Sequence, residues 1–155
     1  MSTRYWMTVL LVIAVGGFGY FFWHEYVSPS PDREFAEFQK RYVVEMTADT
    51  YGGKTPQETL NLFIDALEKG DADLAAKYFM LDDKLSRDQW VKSLEELKRK
   101  DLLDDMARDL KKVKGMTGDD ENDFGFELYD NTGVVSALID MQLNTYSEVW
   151  KIEDL

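Results

Sequence analysis

Residues 55–79 read TPQETLNLFIDALEKGDADLAAKYF, and they decide the fold because they contain both ends of one helix and the start of another. Thr55 can accept hydrogen bonds from the free N–H groups of the first helical turn, and Glu58 can reach back to the chain before it. Pro56 occupies a position at which no N–H is needed. Gly70 is typical of the left-handed residue that ends a helix. The sequence therefore predicts a capped helix with one apolar face, which consists of Leu60, Phe63, Ile64 and Leu67.

Further helices are predicted on both sides of this stretch. Upstream, Ser30 and Pro31 resemble a cap and a first helical residue, and helical spacing of apolar residues extends to about Thr47. Downstream, Asp71 is placed to cap a second helix, Ser86 begins another capping box, and Asp101 can cap a last helix. The stretch after Ser86 either breaks near Lys100 or continues as one helix. The downstream apolar stripes are Leu74, Ala75, Tyr78 and Phe79, then Trp90, Leu94 and Leu97, then Leu102, Leu103, Met106 and Leu110.

The hydrophobic period changes from helical to alternating near residue 124. Residues 124–128 alternate as a strand does, and the turn residues 130–133 predict a reversal into a second strand. Residues 146–152 predict a third strand. Helices followed by a strand meander predict an α+β fold, with the helices on one face of an antiparallel sheet. The apolar face of the second strand is predicted to be Val135, Ala137, Ile139, Met141 and Leu143.

The segment Tyr5–Trp23 has nineteen residues without a charge. At ~1.5 Å per residue, a helix of this length can cross a hydrocarbon layer of ~30 Å. Aromatic residues at both ends fit the two headgroup regions. The sequence therefore predicts a retained transmembrane anchor that contacts the lipid bilayer through residues 5–23. A signal peptide cleaved after Gly16 or Gly19 and a buried core helix are the open alternatives.

The charges beside the predicted anchor bear on its orientation. Arg4 and the terminal amine lie close to its N-terminal end, whereas Arg33, Lys40 and Arg41 lie further from its C-terminal end. Because positive charge near the membrane has the most weight, charge density favours a cytoplasmic N-terminus, although the raw count favours the reverse. We expect a single-pass protein of the cell membrane with its domain outside the cytoplasm. The predicted organisation is an anchor at 1–27, a spacer and juxtamembrane helix at 28–54, and an α+β domain at 55–155.

The composition excludes several classes of function. The net charge of −12 repels phosphate backbones, so nucleic acid is not an expected partner, whereas basic proteins and cations are electrostatically permitted. The chain has no cysteine, which excludes thiol catalysis and thiolate metal sites. Its one histidine, His24, lies at the edge of the predicted anchor, which excludes histidine catalysis in the domain. We expect no cofactor.

The order of motifs resembles nuclear transport factor 2-like domains, the cystatin-like cone superfamily, in its membrane-anchored bacterial form. The resemblance covers about residues 55–155. It implies a cone-shaped α+β fold, in which a curved sheet surrounds a long helix and leaves a pocket at the open end. Many such domains are tethered to a membrane, and many dimerise through the sheet. The family usually has four or more strands, where this sequence predicts three. The motifs are Thr-Pro-x-Glu-Thr from Thr55, Phe63, Ala66–Asp71, Ala75-Ala76-x-Tyr78-Phe79, and the closing Val149-Trp150-Lys151-Ile152.

The enzymes of this family place an aspartate or a tyrosine in the pocket, which makes four residues weak candidates here. Asp140 lies in the second predicted strand, where enclosure by apolar walls would raise its pKa and let it act as a base. We favour a solvent-facing Asp140, because the opposite face of that strand is the apolar one. Tyr78, Trp90 and Tyr129 can line a cavity, although core packing explains them better.

An acidic loop offers the second candidate site. Asp119, Glu121 and Asp123 have the first, third and fifth spacing of a calcium loop, and Asp130 falls at the twelfth position. Phe124 stands where such a loop requires glycine, so we favour a solvated acidic loop without metal.

These observations favour a non-enzymatic, membrane-anchored protein whose domain binds a protein or a small ligand, or forms a homodimer. A cell-envelope accessory protein and an assembly subunit, similar to the cone-domain inner-membrane component of type IV secretion systems, are the two forms that the resemblance suggests. The competing class is a small-molecule carrier or pocket enzyme of the same fold. A closed apolar cavity above ~300 Å³ would favour the competing class, whereas an exposed apolar sheet face would favour a protein partner.

Overall fold

The structure of the chain is a computed structural model that describes residues 16, 17, 20, 31–117 and 120–155. The chain divides into two compact units, Met1–Arg41 and Tyr42–Leu155. In the first unit Gly16, Gly17, Tyr20 and residues 31–41 are helical, and the rest of the predicted anchor lies outside the described residues. No helix within the described part of the chain combines the length and the apolar character needed to cross a membrane.

The described helices precede the sheet, as the sequence predicts. The second unit is α+β, with helices packed on an antiparallel sheet. It includes the end of the first helix and the following loop, which the sequence analysis assigned to the juxtamembrane segment. The helices are α1 (Pro31–Ala48), α2 (Pro56–Glu68), α3 (Ala72–Ala76), α4 (Asp88–Arg99) and α5 (Leu103–Leu110).

The predicted caps of α2 and α3 are confirmed. The Thr55 hydroxyl accepts a hydrogen bond from the N–H of Glu58, and the Glu58 carboxylate accepts one from the N–H of Lys54. Gly70 has a φ of +64°, which a residue with a side chain rarely adopts. Asp71 follows and accepts a hydrogen bond from the N–H of Leu74 at 2.9 Å. The junction between the two helices is therefore encoded locally.

The caps predicted for the last two helices are wrong in detail. Helix α4 begins after Arg87, whose side chain makes no capping bond, although the Ser86 hydroxyl accepts a hydrogen bond from the N–H of Asp88. Helix α5 begins after Leu102, and its predicted cap Asp101 instead has a φ of +56° in the connection. The chain thus breaks near Lys100, which was one of the two alternatives.

The sheet has four strands, β1 (Lys114–Thr117), β2 (Asp123–Tyr129), β3 (Val135–Asn144) and β4 (Val149–Asp154), in the order β1-β2-β3-β4. All neighbouring strands are antiparallel. The three predicted strands are confirmed, and β4 begins later than predicted because residues 145–148 form the turn. Strand β1 was not predicted, because its four residues, KGMT, show no alternation of apolar and polar side chains.

The outer edge of β4 is not free. Phe79 forms a parallel bridge with Ile152, and the N–H of Met80 donates to the carbonyl of Ile152 at 2.8 Å. The N–H of Trp150 donates to the carbonyl of Gly53 at 2.9 Å, so the loop after α1 also crosses β4. A Cβ atom on Gly52 would lie 2.4 Å from the Trp150 carbonyl oxygen, which only glycine avoids. These contacts bring the loop, the end of α3 and β4 together.

The core lies between the helices and one face of the sheet. Ile139 and Met141 of β3 are buried as predicted, whereas Val135 on the same strand is 44% exposed. The predicted apolar face of β3 therefore meets the core only in its C-terminal half. The sheet contributes Phe126, Ile139, Met141 and Ile152, and the helical side contributes Leu60, Phe63, Leu67, Phe79, Leu94, Ala107 and Leu110.

Candidate functional site

The most buried charges of the domain form what we call the Lys151 network, which consists of Asp49, Arg87 and Lys151. The Lys151 ammonium group is fully buried, and it donates to Asp49 Oδ1 at 2.9 Å. It also donates to the carbonyls of Tyr51 at 2.7 Å and Lys77 at 2.6 Å. Arg87 binds the other oxygen of Asp49, and its Nε donates to the Phe79 carbonyl at 2.6 Å. One carboxylate thus holds two cations from distant parts of the chain.

The chemistry of the Lys151 network is structural rather than catalytic. Burial and the neighbouring Arg87 guanidinium lower the pKa of Lys151 from 10.5 to about 8, and Asp49 opposes both effects. A lysine with a lowered pKa is a common nucleophile or base. Here, however, the ammonium has no exposed surface, and its three donors all have acceptors within the protein. The network joins the loop after α1, the end of α3 and β4.

A second group of polar residues lines an open depression, which we call the Tyr42 cleft. It has a volume of about 270 Å³. The C-terminal part of α1 forms one wall, and the start of β2 with the end of β3 and the β3–β4 turn forms the others. Its lining residues are Tyr42, Met46, Met80, Asp120, Asn122, Asp123, Gln142, Leu143, Asn144, Thr145 and Tyr146.

Asn144 fixes the shape of the Tyr42 cleft. This residue is 1% exposed, and its side-chain amide donates to the Met46 carbonyl at 2.8 Å. Its side-chain oxygen accepts from the N–H of Tyr146 at 3.0 Å, which orders the β3–β4 turn. On the opposite wall, the N–H of Leu143 donates to the Asn122 carbonyl at 2.8 Å. The walls are therefore connected by internal hydrogen bonds.

The Tyr42 cleft combines aromatic rings with carboxylates. The rings of Tyr42 and Tyr146 meet edge to face, with centroids 5.8 Å apart. Asp120 accepts hydrogen bonds from the backbone and side chain of Asn122. Within residues 31–117 and 120–155, neither Asp120 nor Asp123 forms an ion pair with a lysine or arginine. The cleft therefore presents negative charge beside two electron-rich rings.

Two of the four predicted pocket residues belong to the core. Tyr78 is 7% exposed, and burial followed by the charge of Asp65 raises the pKa of its hydroxyl. Trp90 is half-buried and stacks on Phe79, with ring centroids 3.9 Å apart. Both side chains therefore contribute packing where they lie.

The other two predicted pocket residues lie on the sheet. Tyr129 is exposed, and its hydroxyl donates to Glu127, which raises the pKa of Tyr129. Asp140 is half-buried and pairs with Gly125 across β2 and β3, on the face opposite to Ile139 and the core. None of the four residues lines the Tyr42 cleft. A second cleft has a volume of about 270 Å³. Its lining contains none of the four predicted pocket residues and consists of Leu67, Glu68, Lys69, Gly70, Lys98, Asp101, Leu103 and Asp104.

The acidic loop contributes one residue to the Tyr42 cleft. Asp119, the first of the three weak metal candidates, lies outside the described residues. Glu121 is exposed, whereas Asp123 is half-buried and lines the cleft. In the described ranges, no group of three or more histidine, cysteine, aspartate or glutamate side chains is placed to hold a metal ion.

No protein-family model, curated protein or solved structure matches this chain. Sequence analysis missed Asp49 and Arg87 as partners of Lys151. The available signal was the lysine between Trp150 and Ile152, because a charge inside an apolar strand requires a partner. It also missed Tyr42 and Tyr146, which meet only after the chain folds.

Proposed function

We propose that this chain is a single-pass membrane protein with a non-catalytic binding domain outside the cytoplasm, in an accessory or assembly role in the cell envelope. The observation that carries the proposal is the run of nineteen uncharged residues at 5–23, followed by a domain that bears the negative charge. Such a run fits the thickness of a bilayer, with its N-terminus on the cytoplasmic side. The domain would then contact partners in the aqueous space beside the membrane.

The fold supports a finer assignment to the nuclear transport factor 2-like cones. The helices precede an antiparallel meander of four strands, which is the strand number that the resemblance implies. The junction at Gly70 and Asp71 joins two helices, and Trp150-Lys151-Ile152 lies in the last strand, which is compatible with the resemblance. These features support the cone, and with it a domain that is tethered to a membrane.

The geometry favours binding a macromolecule over enclosing a small molecule. The two clefts described above, both among the described residues, each have about 270 Å³, below the ~300–1,000 Å³ typical of small-molecule pockets. Most of the residues that line each cleft are charged or polar, whereas carriers of apolar ligands use mainly apolar walls. On the face of the sheet opposite to the core, Met116, Tyr129 and Leu138 are between 36% and 41% exposed. Exposed apolar side chains of this kind favour a protein partner or a homodimer.

Fractionation of cells that express the full chain tests the membrane assignment. We expect the chain to stay with membranes through an alkaline carbonate wash and to be released only by detergent. A matched variant with Leu11→Arg and Ile13→Arg interrupts the apolar run and should move to the soluble fraction, since arginine at the centre of a span is costly. Full-length, uncleaved wild-type chain in the aqueous fraction would overturn the proposal.

Protease protection and N-terminal sequencing test the orientation and the retained anchor. Protease added to intact cells or spheroplasts should digest the domain, because we place it outside the cytoplasm. Digestion only after lysis would reverse the orientation. A mature N-terminus immediately after Gly16 or Gly19 would identify a cleaved signal and would contradict the anchor.

A further inference from the structure

We propose that the Tyr42 cleft binds a lysine or arginine side chain of a basic protein partner. The inference rests on the proposed function only in that the domain is taken to bind a macromolecule. Peptide binding to the cleft tests the inference without reference to the membrane. Membrane fractionation and cleft binding can therefore fail independently of each other.

The cleft contains an aromatic pair that suits a cation. Tyr42 and Tyr146 both line the cleft, and their rings meet edge to face at 5.8 Å. Tyr146 is 46% exposed although it lies beside the buried Asn144. The faces of tyrosine rings attract ammonium and guanidinium groups. The Asn144 side chain accepts a hydrogen bond from the backbone N–H of Tyr146 and so holds this residue in place. The exposed ring of Tyr146 is therefore suited to that contact.

The Tyr42 cleft also contains two carboxylates. Asp120 and Asp123 face the same cleft as the rings, and the described residues provide no cation for either. Elsewhere in the domain several lysines and arginines pair with nearby carboxylates, as Lys111 does with Glu68. A cation from another molecule would therefore complete the cleft. The net charge of −12 would attract a basic partner before contact.

The size and composition of the Tyr42 cleft also fit one long cationic side chain. A volume of about 270 Å³ accepts the end of one long side chain, whereas small-molecule pockets usually have ~300–1,000 Å³. Met80, beside the buried Met46, provides a flexible apolar wall that suits the methylene stem of lysine or arginine. Gln142 and Asn122 add side-chain oxygens that can accept hydrogen bonds from the charged end. Rings, carboxylates and methionines together match an amphipathic cation.

The experiment is a titration of the full chain in zwitterionic detergent, followed by ¹H–¹⁵N NMR. The probes are the blocked peptides acetyl-Gly-Arg-Gly-amide, acetyl-Gly-Lys-Gly-amide and acetyl-Gly-norleucine-Gly-amide. We expect saturable shifts of the amide signals of Asn122, Gln142 and Tyr146 with the two basic peptides. Norleucine has a similar stem without charge and should leave these signals unchanged. Equal shifts with norleucine, or no shifts with either basic peptide, would overturn the proposal.

Variants distinguish the cleft from general attraction to an acidic protein. Asp123→Asn should weaken binding of the arginine peptide by about 3- to 10-fold, as loss of a charged contact does. Asp83→Asn removes the same charge from an exposed position outside the cleft and should change the affinity by less than about 2-fold at 0.15 M salt, where distant charges are screened. Equal weakening by both variants would show non-specific attraction and would overturn the proposal.

Two variants of Tyr146 test the aromatic contact. They also keep the proposal testable if Asp123→Asn does not fold. Tyr146→Ala should weaken binding by about 3- to 10-fold, whereas Tyr146→Phe keeps the ring and should retain binding within about 2-fold. A loss in both variants would exclude a ring contact. Calcium chloride is the last probe. If millimolar calcium moves the same signals and the basic peptides do not, the cleft binds a metal ion and the proposal is wrong.

Discussion

Asp49 and the pair Asp120 and Asp123 show two uses of a carboxylate in one domain. Asp49 is 7% exposed and holds Lys151 and Arg87, so the chain provides its counter-ions. Asp120 and Asp123 line an open cleft, and the described residues provide no counter-ion for them. The difference separates a carboxylate that stabilises the fold from carboxylates that are available to another molecule. Substitution of Asp49 should therefore lower the stability of the fold. Substitution of Asp123 should instead weaken binding without lowering stability.

The largest expected effect is that of Asp49→Asn. The amide has nearly the same shape, but it leaves the ammonium of Lys151 and the guanidinium of Arg87 buried together without a negative charge. Removal of one partner from a buried ion pair costs about 3–5 kcal/mol, and we expect a loss of that size in the free energy of unfolding. Urea unfolding followed by circular dichroism measures it.

The control for Asp49→Asn is Asp83→Asn, since Asp83 is exposed and forms no ion pair with a described residue. This variant should leave the urea midpoint nearly unchanged. If Asp49→Asn lost less than about 1 kcal/mol, the Lys151 network would not be a major source of stability.

The second effect is the dependence of stability on pH that Lys151 produces. Its pKa is lowered to about 8 in the folded state, whereas the unfolded chain has the ordinary value of 10.5. Between these values the unfolded state binds more protons, so Lys151 makes the free energy of unfolding rise with pH. Below pH 8 both states are protonated, and Lys151 gives no slope. The whole shift corresponds to up to about 3 kcal/mol.

Lys151→Met isolates this contribution. Urea unfolding at pH 7, 8, 9 and 10 should show that the wild type gains stability relative to the variant as the pH rises above 8. The other titrating groups are common to both proteins, so most of their effect cancels in the difference. A difference that stays constant up to pH 10 would mean that Lys151 keeps its proton in the folded state.

The local parts of this fold were predictable from sequence, and the reason lies in short-range geometry. The cap at Thr55, the left-handed Gly70 and the cap at Asp71 each depend on residues within four positions along the chain. The alternation of residues 124–128 likewise predicts a strand from neighbouring residues, and Phe126 of that strand is buried in the core. Strand β1 escaped prediction because Gly115 and Met116 acquire their strand conformation only by pairing with Phe126 and Gly125.

The candidate site was much less predictable, because its residues are distant in sequence. Asp49 and Lys151 meet only when the loop after α1 crosses β4, and Gly52 permits that approach by lacking a side chain. Tyr42 and Tyr146 likewise meet across the domain. Asp123 was singled out for its spacing to Glu121, but its position beside Tyr146 in the cleft depends on the pairing of β2 with β3. Spacing alone cannot show which carboxylates share a surface.

A smaller effect is expected for Asn144→Ala, which tests the scaffold of the Tyr42 cleft. The change removes two hydrogen bonds and leaves the Met46 carbonyl without its donor in a buried position. We expect a loss of about 1–3 kcal/mol in urea unfolding, the usual cost of an unsatisfied buried group. Gln142→Ala is the control, because Gln142 lines the same cleft without a side-chain hydrogen bond to any described residue. Equal losses in the two variants would mean that packing, and not hydrogen bonding, is what Asn144 provides.

The smallest change in the free energy of unfolding is expected for substitution of the cleft carboxylates. It is also of opposite sign, because it is a gain and not a loss. Asp123→Asn removes a charge that lies near Asp120 in a chain of net charge −12 and breaks no ion pair within the described residues. Because like charges repel in the folded state, we expect the free energy of unfolding to stay constant or to rise by a few tenths of a kcal/mol.

That small gain should disappear in 1 M salt, where charges are screened beyond about 3 Å. Urea unfolding of the wild type and of Asp123→Asn in low and high salt measures the gain in stability and its dependence on salt. A residue that binds a partner commonly costs the free protein some stability, so neutral or increased stability with weakened binding is the profile of a binding residue. A loss above about 1 kcal/mol would place Asp123 with Asp49 among the structural carboxylates, and the contrast between the two regions would fail.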